Sequence, residues 1–470
     1  MDEANTNQYD VVIIGGGPGG YAAALYGASA GLRIALVEKD KVGGTCLHRG
    51  CIPAKELLES AAVYRTVNHA KDFGILAEQP GVDWGMTVDR KQRVVDQMFG
   101  GLSGLLKSRK VDVFDGWGTL GPARQVHVAG NDGQSTLISG KAVFLAPGSV
   151  PRTIPGFEPD GRVVFTSDEF LDLRSVPSTA AVIGGGAIGC EFASTLADMG
   201  TNVTILEALP KILPGCDSDV TSIVERSFKK KGISIRTGVA VSGHQPNPSG
   251  GTTIGFGDGE SLAVDVVVVS IGRRPATSGV VADGPNVEVD ERGYFVADGT
   301  CRTTEPGVWA IGDAIATPQL AHVGYAEGMV AIRDFLGENP VGIDYGKVPW
   351  AIYCHPEVAF AGYSEEAAKE AGFDVVSSKH RYMGNGRAVI LGETDGIVKV
   401  IAEKKHDGRA GRILGVHMVG PWVTEQLGQG YLAVNWEATV DEVAAFIQPH
   451  PSLSELFGET MIAMTGRSLH

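Results

Sequence analysis

The stretch Tyr9–Glu38, YDVVIIGGGPGGYAAALYGASAGLRIALVE, decides the fold of the first part of the chain. Its apolar run Tyr9–Ile14 has the length of a buried strand, and Tyr21–Ala30 has the composition of a helix. Leu32–Val37 predicts a second strand, which ends at the acidic residue Glu38. A strand, a glycine-rich turn, a helix and a second strand within about thirty residues predict a βαβ unit of the kind that binds dinucleotides.

The turn between the first strand and the helix, GGGPGG, contains the glycines that such a unit needs. Gly15 allows the tight turn, Gly17 lets the backbone approach a pyrophosphate, and Gly20 lets the helix pack closely on the strand. The helix N-terminus offers amide groups to the phosphates, and Glu38 can accept a hydrogen bond from a ribose hydroxyl. A glycine-rich turn without a ligand is the alternative interpretation, and the strand, helix and spaced acid around the turn argue against it.

The same plan recurs further along the chain. The second copy consists of the strand Ala180–Ile183, the helix Ile188–Met199 and the strand Asn202–Leu206, with Gly184, Gly186, Gly189 and Glu207 in the glycine and acid roles. In both copies the acidic residue follows the third glycine by eighteen positions. Two such sites in one chain predict two dinucleotides, FAD and a nicotinamide cofactor.

The acidic residue of the second copy also bears on which nicotinamide cofactor binds. A carboxylate at Glu207 repels a 2′-phosphate and accepts from a 2′-hydroxyl. The next residues, Ala208-Leu209-Pro210, bring no arginine beside it, and Lys211 is interpreted as solvated. The sequence therefore favours NAD over NADP.

Composition limits the possible classes of protein. The chain has 470 residues, a formal net charge of −15, 43% hydrophobic and 20% charged residues, which is typical of several folded domains rather than of a disordered chain. The excess of acidic over basic residues argues against general nucleic-acid binding. The polar start of the chain predicts no secretory signal, and no apolar run reaches the ~18–20 residues of a membrane span. A cytoplasmic enzyme without nucleic-acid or membrane partners is expected.

The later segments predict the remaining organisation. From Lys347 onward, alternating strands mix with amphipathic helices, which indicates a separate α+β domain. The expected fold class is α/β, with two doubly wound, Rossmann-like FAD and NAD domains and a C-terminal α+β dimerisation domain. The expected bounds are 1–149 for the FAD domain, 150–274 for the NAD domain, 275–346 for a central domain completing the FAD site, and 347–470 for the interface domain. Loose loops are expected at Gln245–Gly251 and Glu403–Gly411.

Two of the six cysteines, Cys46 and Cys51, lie close together in GGTCLHRGCIPAK. Five residues of regular helix rise ~7.5 Å, whereas a disulfide needs Cα atoms ~4.4–6.8 Å apart, so the pair requires a distorted turn, which Gly50 permits. A helix N-terminus and the charge of Lys55 would favour a thiolate at Cys51. The pattern predicts a pair that switches between dithiol and disulfide. A structural disulfide, two buried thiols, or a metal site needing two more ligands are the alternatives.

This stretch resembles the active-site signature of the class I pyridine nucleotide-disulfide oxidoreductases, and the similarity extends along nearly the whole chain. Within that family the chain is most similar to the members that oxidise dihydrolipoyl groups. The motifs that match are Gln97–Val111, Ala146-Pro147-Gly148-Ser149, Ile271–Pro275, Ala310-Ile311-Gly312-Asp313, Leu320-Ala321-His322 and His355-Pro356-Glu357. Pro147 replaces the family's usual threonine and keeps the turn.

The resemblance implies further cofactor contacts. Asp313 would hold the ribityl chain of FAD, Glu191 would pair with Lys55 near the flavin ring, and Val241 and Gly272 would contact NAD through their backbones. The residues that the resemblance also assigns to the FAD site are Gly44, Thr45, Lys55, Gly118, Gly148, Ser149 and Ala321.

The segment HPSLSE near the C-terminus supplies the expected base. A dithiol must lose protons as it attacks a disulfide, and a histidine such as His450 is suited to accept them. Glu455 could orient the imidazole, as a third group does in catalytic triads. A lone His-Pro turn is usually structural, and the cysteine motif and family match favour the catalytic role here. His355-Pro356-Glu357 lacks the later glutamate and is interpreted as structural.

The resemblance implies an enzyme that oxidises protein-bound dihydrolipoyl groups and reduces NAD⁺ through FAD and a Cys46–Cys51 disulfide. Its partner would be the lipoyl-bearing subunit of a 2-oxo acid dehydrogenase complex or a glycine cleavage system, and it would be a homodimer. The alternatives are an NAD(P)H-dependent reductase of another small disulfide and a catalytically silent flavoprotein scaffold. No metal is expected. Relatives with a second, C-terminal cysteine pair are disfavoured because no such pair is present.

Overall fold

The computed structural model describes residues 7–78 and 81–469. Residues 1–6 of the polar start, residues 79–80 and residue 470 lie outside the described residues. The chain divides into two compact units. The first comprises Met1–Glu56, Gly85–Arg152 and Gly272–Tyr345, and the second comprises Leu57–Trp84, Thr153–Ile271 and Gly346–His470. In the part of the chain that the structure describes, no helix combines the length and apolarity needed to cross a membrane.

The strands of the described residues follow in chain order: β1 (Gln8–Ile14), β2 (Ile34–Glu38), β3 (Asp112–Leu120), β4 (Gln125–Gly130), β5 (Ser135–Leu145), β6 (Ser149–Pro151), β7 (Val164–Thr166), β8 (Thr179–Ile183), β9 (Asn202–Glu207), β10 (Ser234–Thr237), β11 (Val241–Pro246), β12 (Thr252–Phe256), β13 (Glu260–Val264), β14 (Val266–Val269), β15 (Arg273–Pro275), β16 (Val308–Ala310), β17 (Trp350–Ile352), β18 (Glu357–Gly362), β19 (Val375–Arg381), β20 (Ile397–Lys404) and β21 (Ala410–Gly420).

The α-helices are α1 (Pro18–Ser29), α2 (Gly44–Arg49), α3 (Cys51–Asn68), α4 (Trp84–Ser108), α5 (Ser167–Phe170), α6 (Ala187–Asp198), α7 (Ser218–Lys230), α8 (Ala321–Phe335), α9 (Glu365–Glu370), α10 (Gly386–Leu391), α11 (Val423–Asn435), α12 (Val440–Ala444) and α13 (Glu455–Met464). Short 3₁₀ turns include Gly312–Ala314 after β16.

The first unit is built on a parallel sheet with the strand order β3-β2-β1-β5-β16. β3 and β5 continue beyond this sheet and pair with β4 in antiparallel fashion. Ile14, Leu145 and Ala310 lie level with one another at the carboxyl ends of β1, β5 and β16. This edge is where open α/β sheets bind ligands, so the turns that follow these strands define the candidate site of this unit.

The second unit contains a parallel sheet with the order β10-β9-β8-β14-β7, a three-stranded antiparallel sheet β11-β12-β13, and a five-stranded antiparallel sheet β17-β18-β21-β20-β19. The five-stranded sheet packs with α11, α12 and α13 over a buried apolar core that includes Val416, Met418 and Phe457. Two parallel sheets of the dinucleotide-binding type and a C-terminal α+β region confirm the predicted fold class.

The structure corrects two details of the sequence interpretation. The expected loose loops are tight hairpin connections: Pro246 pairs with Thr252, and Lys404 pairs with Ala410. Glycine and polar residues there serve β-turns rather than an open loop. Strand β19, VVSSKHR, is an element that the sequence analysis did not predict, because a half-buried edge strand with several polar residues has a weak alternation signal.

Candidate active site

The turn after β1 has the geometry of a phosphate-binding loop. Gly15 has φ +107°, and a Cβ there would lie 2.0 Å from the carbonyl oxygen of Ala146. A Cβ at Gly20 would lie 1.8 Å from the carbonyl oxygen of Gly15. Glycine is therefore required at both positions. α1 starts at Pro18, and no described side chain caps its N-terminus, which leaves the first amide groups available to an anion.

The acidic residue Glu38 is locked in place at the end of β2. Its Oε2 accepts from the amide of Gly16 at 2.7 Å, and its Oε1 accepts from the amide of Asp40 at 2.9 Å. The buried carboxylate is thus fixed beside the glycine turn, where a ribose hydroxyl of a dinucleotide is expected. The rigid turn, the uncapped helix and the fixed acid together fit the pyrophosphate and ribose of a dinucleotide.

The second turn repeats this geometry closely. Gly184 has φ +103°, and a Cβ at Gly189 would lie 1.9 Å from the carbonyl oxygen of Gly184. Glu207 accepts from the amide of Gly185 at 2.5 Å and from the amide of Leu209 at 2.7 Å. The N-terminus of α6 at Gly186 also lacks a side-chain cap among the described residues. Both predicted fingerprints therefore form a strand, a tight turn and a helix, and both fit a dinucleotide.

The predicted FAD residue Asp313 lies at the carboxyl edge of the first sheet, in the turn after β16. Ser149 donates to its Oδ2 at 2.5 Å. Burial raises the pKa of Asp313, while the Ser149 hydrogen bond and the charge of Arg273 oppose that rise. Its position beside the Gly15 turn fits the predicted contact with a bound flavin nucleotide.

Arg273 connects this edge to the cysteine segment. Its guanidinium donates to Oγ of Ser149 at 2.7 Å, to the carbonyl oxygen of Ser149 at 2.8 Å, and to Oγ1 of Thr45 at 3.4 Å. Thr45 precedes Cys46, so one arginine joins the redox segment to the Ser149–Asp313 pair. The sequence analysis had placed Arg273 only within a matching motif and had assigned it no role, because partners so distant in sequence give no local signal.

The cysteine pair lies at a break between two helices. Cys46 belongs to α2, Cys51 begins α3, and Gly50 between them has φ −146° and ψ −114°. A Cβ at Gly50 would lie 3.0 Å from the carbonyl oxygen of Thr45 and 3.4 Å from Cα of Cys46. The predicted distortion at Gly50 is confirmed: the helix is interrupted there, and this interruption lets the two cysteine side chains meet.

The two sulfur groups interact directly. A side-chain hydrogen bond to Cys51, burial and the negative charge that Cys51 can carry all raise the pKa of Cys46, while Lys55 opposes the rise. The two thiols are therefore in direct hydrogen-bond contact, which is the arrangement that exchange between dithiol and disulfide requires. Such a pair fits a redox-active dithiol.

Two tyrosines that the sequence analysis did not select lie near this pair. The hydroxyl oxygens of Tyr21 on α1 and Tyr325 on α8 are 2.5 Å apart. Burial raises the pKa of both phenols, and the charges of Cys46 and Cys51 raise them further. Both phenols consequently stay protonated, and one hydroxyl donates to the other.

His450 and Glu455 lie in the second unit and form the predicted pair. Nδ1 of His450 is 2.8 Å from Oε1 of Glu455, and Oε2 of Glu455 accepts from the amide of Ser452 at 2.7 Å. The His450 side chain is 80% exposed, whereas that of Glu455 is only 16% exposed. A fixed carboxylate thus orients an imidazole whose other nitrogen is open to a substrate, which is the arrangement a general base needs.

The structure locates the other predicted residues without testing their roles. Glu191 is buried in α6 and accepts from the amide of Tyr353 at 2.9 Å. Its predicted pairing with Lys55, in α3, stays a prediction. The remaining predicted positions are Gly44 in α2, Gly118 in β3, Gly148 before β6, Val241 in β11, Gly272 before β15, and Ala321 at the start of α8. His355 is half-buried, and desolvation lowers its pKa to about 2, which suits a structural histidine.

The chain is similar to known proteins over nearly its whole length. A family model described as pyridine nucleotide-disulphide oxidoreductase matches residues 9–328, and its dimerisation domain matches residues 348–461. A dihydrolipoyl dehydrogenase of Bacillus subtilis is 41% identical, covering 98% of this chain and 99% of that protein. A dihydrolipoyl dehydrogenase of Zymomonas mobilis is 37% identical, covering 99% of each chain.

Solved structures give the same fold. LpdA from Mycobacterium tuberculosis superposes with a TM-score of 0.90 at 24% identity, covering 98% of this chain and 100% of that one. The flavoprotein disulfide reductase RclA from Escherichia coli, in its Cu(II) complex, superposes with a TM-score of 0.87 at 27% identity, covering 97% of this chain and 100% of that one.

Proposed function

The chain belongs to the pyridine nucleotide-disulphide oxidoreductase family, and from that premise we propose that it is a dihydrolipoyl dehydrogenase. It oxidises protein-bound dihydrolipoyl groups to lipoyl groups and reduces NAD⁺. The observation that supports this most is the hydrogen-bonded Cys46–Cys51 pair at the Gly50 break, in a chain that matches curated dihydrolipoyl dehydrogenases over nearly its full length.

The family implies a flavin nucleotide and a pyridine nucleotide as cofactors. We propose that these are FAD at the Gly15 turn and NAD at the Gly184 turn. When bound, the flavin would supply the two-electron chemistry that links the dithiol of Cys46 and Cys51 to the nicotinamide. Glu207 supports NAD because its carboxylate accepts from a 2′-hydroxyl and repels a 2′-phosphate.

The protein's own groups handle sulfur and proton transfer. His450, oriented by Glu455, accepts a proton from one thiol of the dihydrolipoyl group. The resulting substrate thiolate attacks Sγ of Cys46, which breaks the Cys46–Cys51 bond and releases Cys51 as a thiolate. The second substrate sulfur then displaces Cys46, whose sulfur takes up that thiol's proton, and the lipoyl disulfide leaves. The enzyme retains the two electrons in its reduced cysteine pair, with one proton on Cys46, the other on His450, and Cys51 as the thiolate.

A homodimer is the proposed assembly, since the C-terminal region matches the family's dimerisation domain. In one chain this region exposes large apolar side chains, among them Trp436, Phe446 and Ile447. Burial of such side chains stabilises subunit association. We propose that residues 1–149, 150–274, 275–346 and 347–470 act as FAD, NAD, central and interface domains, and that His450 of each chain serves the cysteine pair of the other.

The proposed physiological partner is the lipoyl-bearing subunit of a 2-oxo acid dehydrogenase complex or of a glycine cleavage system, in the cytoplasm. The decisive experiment measures turnover of the purified protein with NAD⁺ and NADP⁺ against dihydrolipoamide, a dihydrolipoyl protein and reduced glutathione. The proposal expects the highest kcat/KM for NAD⁺ with a dihydrolipoyl substrate. Preference for glutathione would indicate a reductase of another small disulfide, and absence of turnover in a flavin-loaded protein would indicate a scaffold.

A further inference from the structure

Glu327, in α8, is a fully buried carboxyl group that the proposed reaction does not use. Its Oε2 accepts from the amide of Gly312 at 2.6 Å. Its Oε1 accepts from Oγ1 of Thr317 at 2.8 Å and from the hydroxyl of Tyr345 at 3.0 Å. The carboxyl is thus held by one amide and two hydroxyls. Burying a carboxylate is costly even when it is hydrogen-bonded.

The amide that Glu327 holds belongs to the turn Gly312–Ala314, which follows β16. Ala310 at the end of β16 is level with Leu145, whose strand β5 also pairs with β1 ahead of the Gly15 turn. Asp313 in the same turn accepts from Ser149. Glu327 therefore fixes, from the helix side, the turn that carries Asp313 at the ligand edge of the sheet.

We propose that Glu327 is a positioning residue for the flavin nucleotide: ionised, it holds the Gly312–Ala314 turn and Asp313 in the binding geometry, and on gaining a proton it loosens that turn and speeds loss of the nucleotide. This inference rests on the flavin site of the proposed function. It adds a residue that acts through the turn and a dependence of flavin retention on pH.

The surroundings of Glu327 support a proton exchange near neutral pH. Burial raises the pKa of Glu327 to about 7 and the charge of Asp313 raises it as well, while the hydrogen bonds from Thr317, Gly312 and Tyr345 oppose the rise. The other titratable groups that face it are Tyr345 and Cys301, and burial raises the pKa of both, so they stay protonated. Glu327 is therefore the group here whose charge changes near neutral pH. Such shifts are common at functional sites.

The raised pKa of Glu327 also determines how the stability of the fold depends on pH. A carboxyl whose pKa rises on folding binds its proton more tightly in the folded state, so the fold loses stability as pH rises from about 4.5 to about 7. A glutamine at position 327 would avoid that loss. The ionised carboxylate is retained at a cost in stability, which is expected of a residue that serves binding.

The test compares the wild-type holoprotein with Glu327→Gln. The rate of flavin loss is followed by the fluorescence of released FAD between about pH 5.5 and about pH 8.5. A hydrogen bond to a charged acceptor is stronger than one to a neutral acceptor, so wild-type flavin loss should be about five-fold faster at the acid end, with a midpoint near pH 7. The Glu327→Gln protein should lose flavin at a rate that stays constant over this range.

Asp334→Asn is the matched control. Asp334 is also a buried carboxyl on α8, but it pairs with Arg302 at 2.6 Å and accepts from Nε1 of Trp309 at 2.9 Å, and neither partner belongs to the Gly312–Ala314 turn. Its neutralisation should lower thermal stability and leave the pH dependence of flavin loss as in the wild type.

If the variant loads flavin poorly, a second measurement replaces the first. In unfolding of the flavin-free proteins, Glu327→Gln should gain stability relative to the wild type as pH rises from about 4.5 to about 7. The inference is overturned if wild-type flavin loss does not change with pH, or if Glu327→Gln keeps the wild-type profile. Dihydrolipoamide turnover, measured alongside, tests the proposed function separately, because an active enzyme with pH-independent flavin loss refutes this inference alone.

Discussion

Nδ1 of His450 lies 2.8 Å from Oε1 of Glu455, and the second oxygen of that carboxylate is held by the amide of Ser452. The carboxylate is therefore fixed before it orients the imidazole. His450→Gln should lower dihydrolipoamide turnover by about 10²–10⁴-fold, the usual contribution of a general base. Glu455→Gln should cost less, because the imidazole remains. Reduction of the flavin by NADH should stay near normal in both variants.

The control for this pair is His406→Gln, which replaces an exposed histidine outside the site. It should leave turnover unchanged. If His450→Gln slowed flavin reduction by NADH as strongly as dihydrolipoamide turnover, the assignment of His450 to the dithiol half of the reaction would be wrong.

The two cysteines should behave differently when each is replaced. Cys51 begins α3 and Lys55 follows four residues later, so the helix N-terminus and this ammonium group favour a thiolate at Cys51. Reduction by one dithiol equivalent should give a long-wavelength thiolate–flavin absorbance band in the wild type. Cys51→Ser should abolish the band, and Cys46→Ser should show it without reductant. Both should lose dihydrolipoamide turnover by orders of magnitude, whereas Cys216→Ala, at a buried position outside the site, should not.

The reverse spectral pattern, with the band retained in Cys51→Ser, would mean that the roles of the two sulfurs are exchanged. Equal loss of the band in both variants would indicate that the band requires the intact pair.

Much of the fold was predictable because its signals are local. At Gly15 and Gly184 any side chain would collide with a backbone carbonyl oxygen, so glycine recurs at fixed positions after a short apolar strand. The strands and helices predicted around these glycines are confirmed. The break at Gly50 was likewise predictable, because helix rise and disulfide geometry are incompatible without it.

Other parts of the site have no local signal. Arg273 reaches Ser149 and Thr45 across large sequence separations, and a glutamate such as Glu327 on an amphipathic helix looks like any solvated charge until its burial is known. The Tyr21–Tyr325 contact depends on the packing of two helices that are far apart in the chain. These residues become visible only when the tertiary structure brings their partners together.

Glu207 should set the choice of nicotinamide cofactor. Replacing its carboxylate by Glu207→Ala and adding a cation through Leu209→Arg should shift the ratio of kcat/KM values toward NADP⁺ by about ten- to a hundred-fold. Part of the loss with NAD⁺ will come from the turn, because Glu207 also accepts from the amides of Gly185 and Leu209. The corresponding change in the first turn, Glu38→Ala, should weaken flavin retention and leave the nicotinamide ratio unchanged. A wild-type preference for NADPH would refute this assignment.

Lys399 should be a major contributor to the stability of the second unit. Its side chain is 4% exposed, and its ammonium group lies 3.0 Å from fully buried Asp217, 2.8 Å from Asp219 and 2.9 Å from Glu365. Removing one partner of a buried ion cluster leaves the other charges uncompensated, so Lys399→Met should lower the free energy of unfolding by about 3–5 kcal/mol. Lys379→Met is the matched control, since Lys379 is 53% exposed and pairs with Asp219, and should cost about 0–1 kcal/mol.

The same ion cluster predicts that the protein loses folding stability in acid. Hydrogen bonds from Lys369 and Lys399 lower the pKa of Glu365 to about 2. A carboxyl with a depressed pKa contributes stability above its usual pKa of 4.5, and that contribution disappears as pH falls toward 2. The free energy of unfolding of the wild type, measured with urea, should fall over this range, and that of Lys399→Met should fall less. Parallel losses in both proteins would show that Lys399 does not produce the shift.

The last prediction concerns which chain supplies the base. Cys46 belongs to the first unit and His450 to the C-terminal region that matches the dimerisation domain. If each His450 serves the other subunit, a heterodimer of a Cys46→Ser chain and a His450→Gln chain has one site with both defects and one intact site. Because a two-fold symmetric dimer has two equivalent composite sites, such heterodimers should retain roughly half of the wild-type activity.

The heterodimers are isolated with two different affinity tags, and each homodimeric variant serves as the inactive control. If base and disulfide came from one chain, each site of the heterodimer would carry one defect, and activity would be as low as in the homodimeric variants. Half activity in the tagged heterodimer can arise only when His450 crosses the subunit interface, because neither chain alone contains both functional groups. A complete absence of activity in verified heterodimers would falsify the composite site.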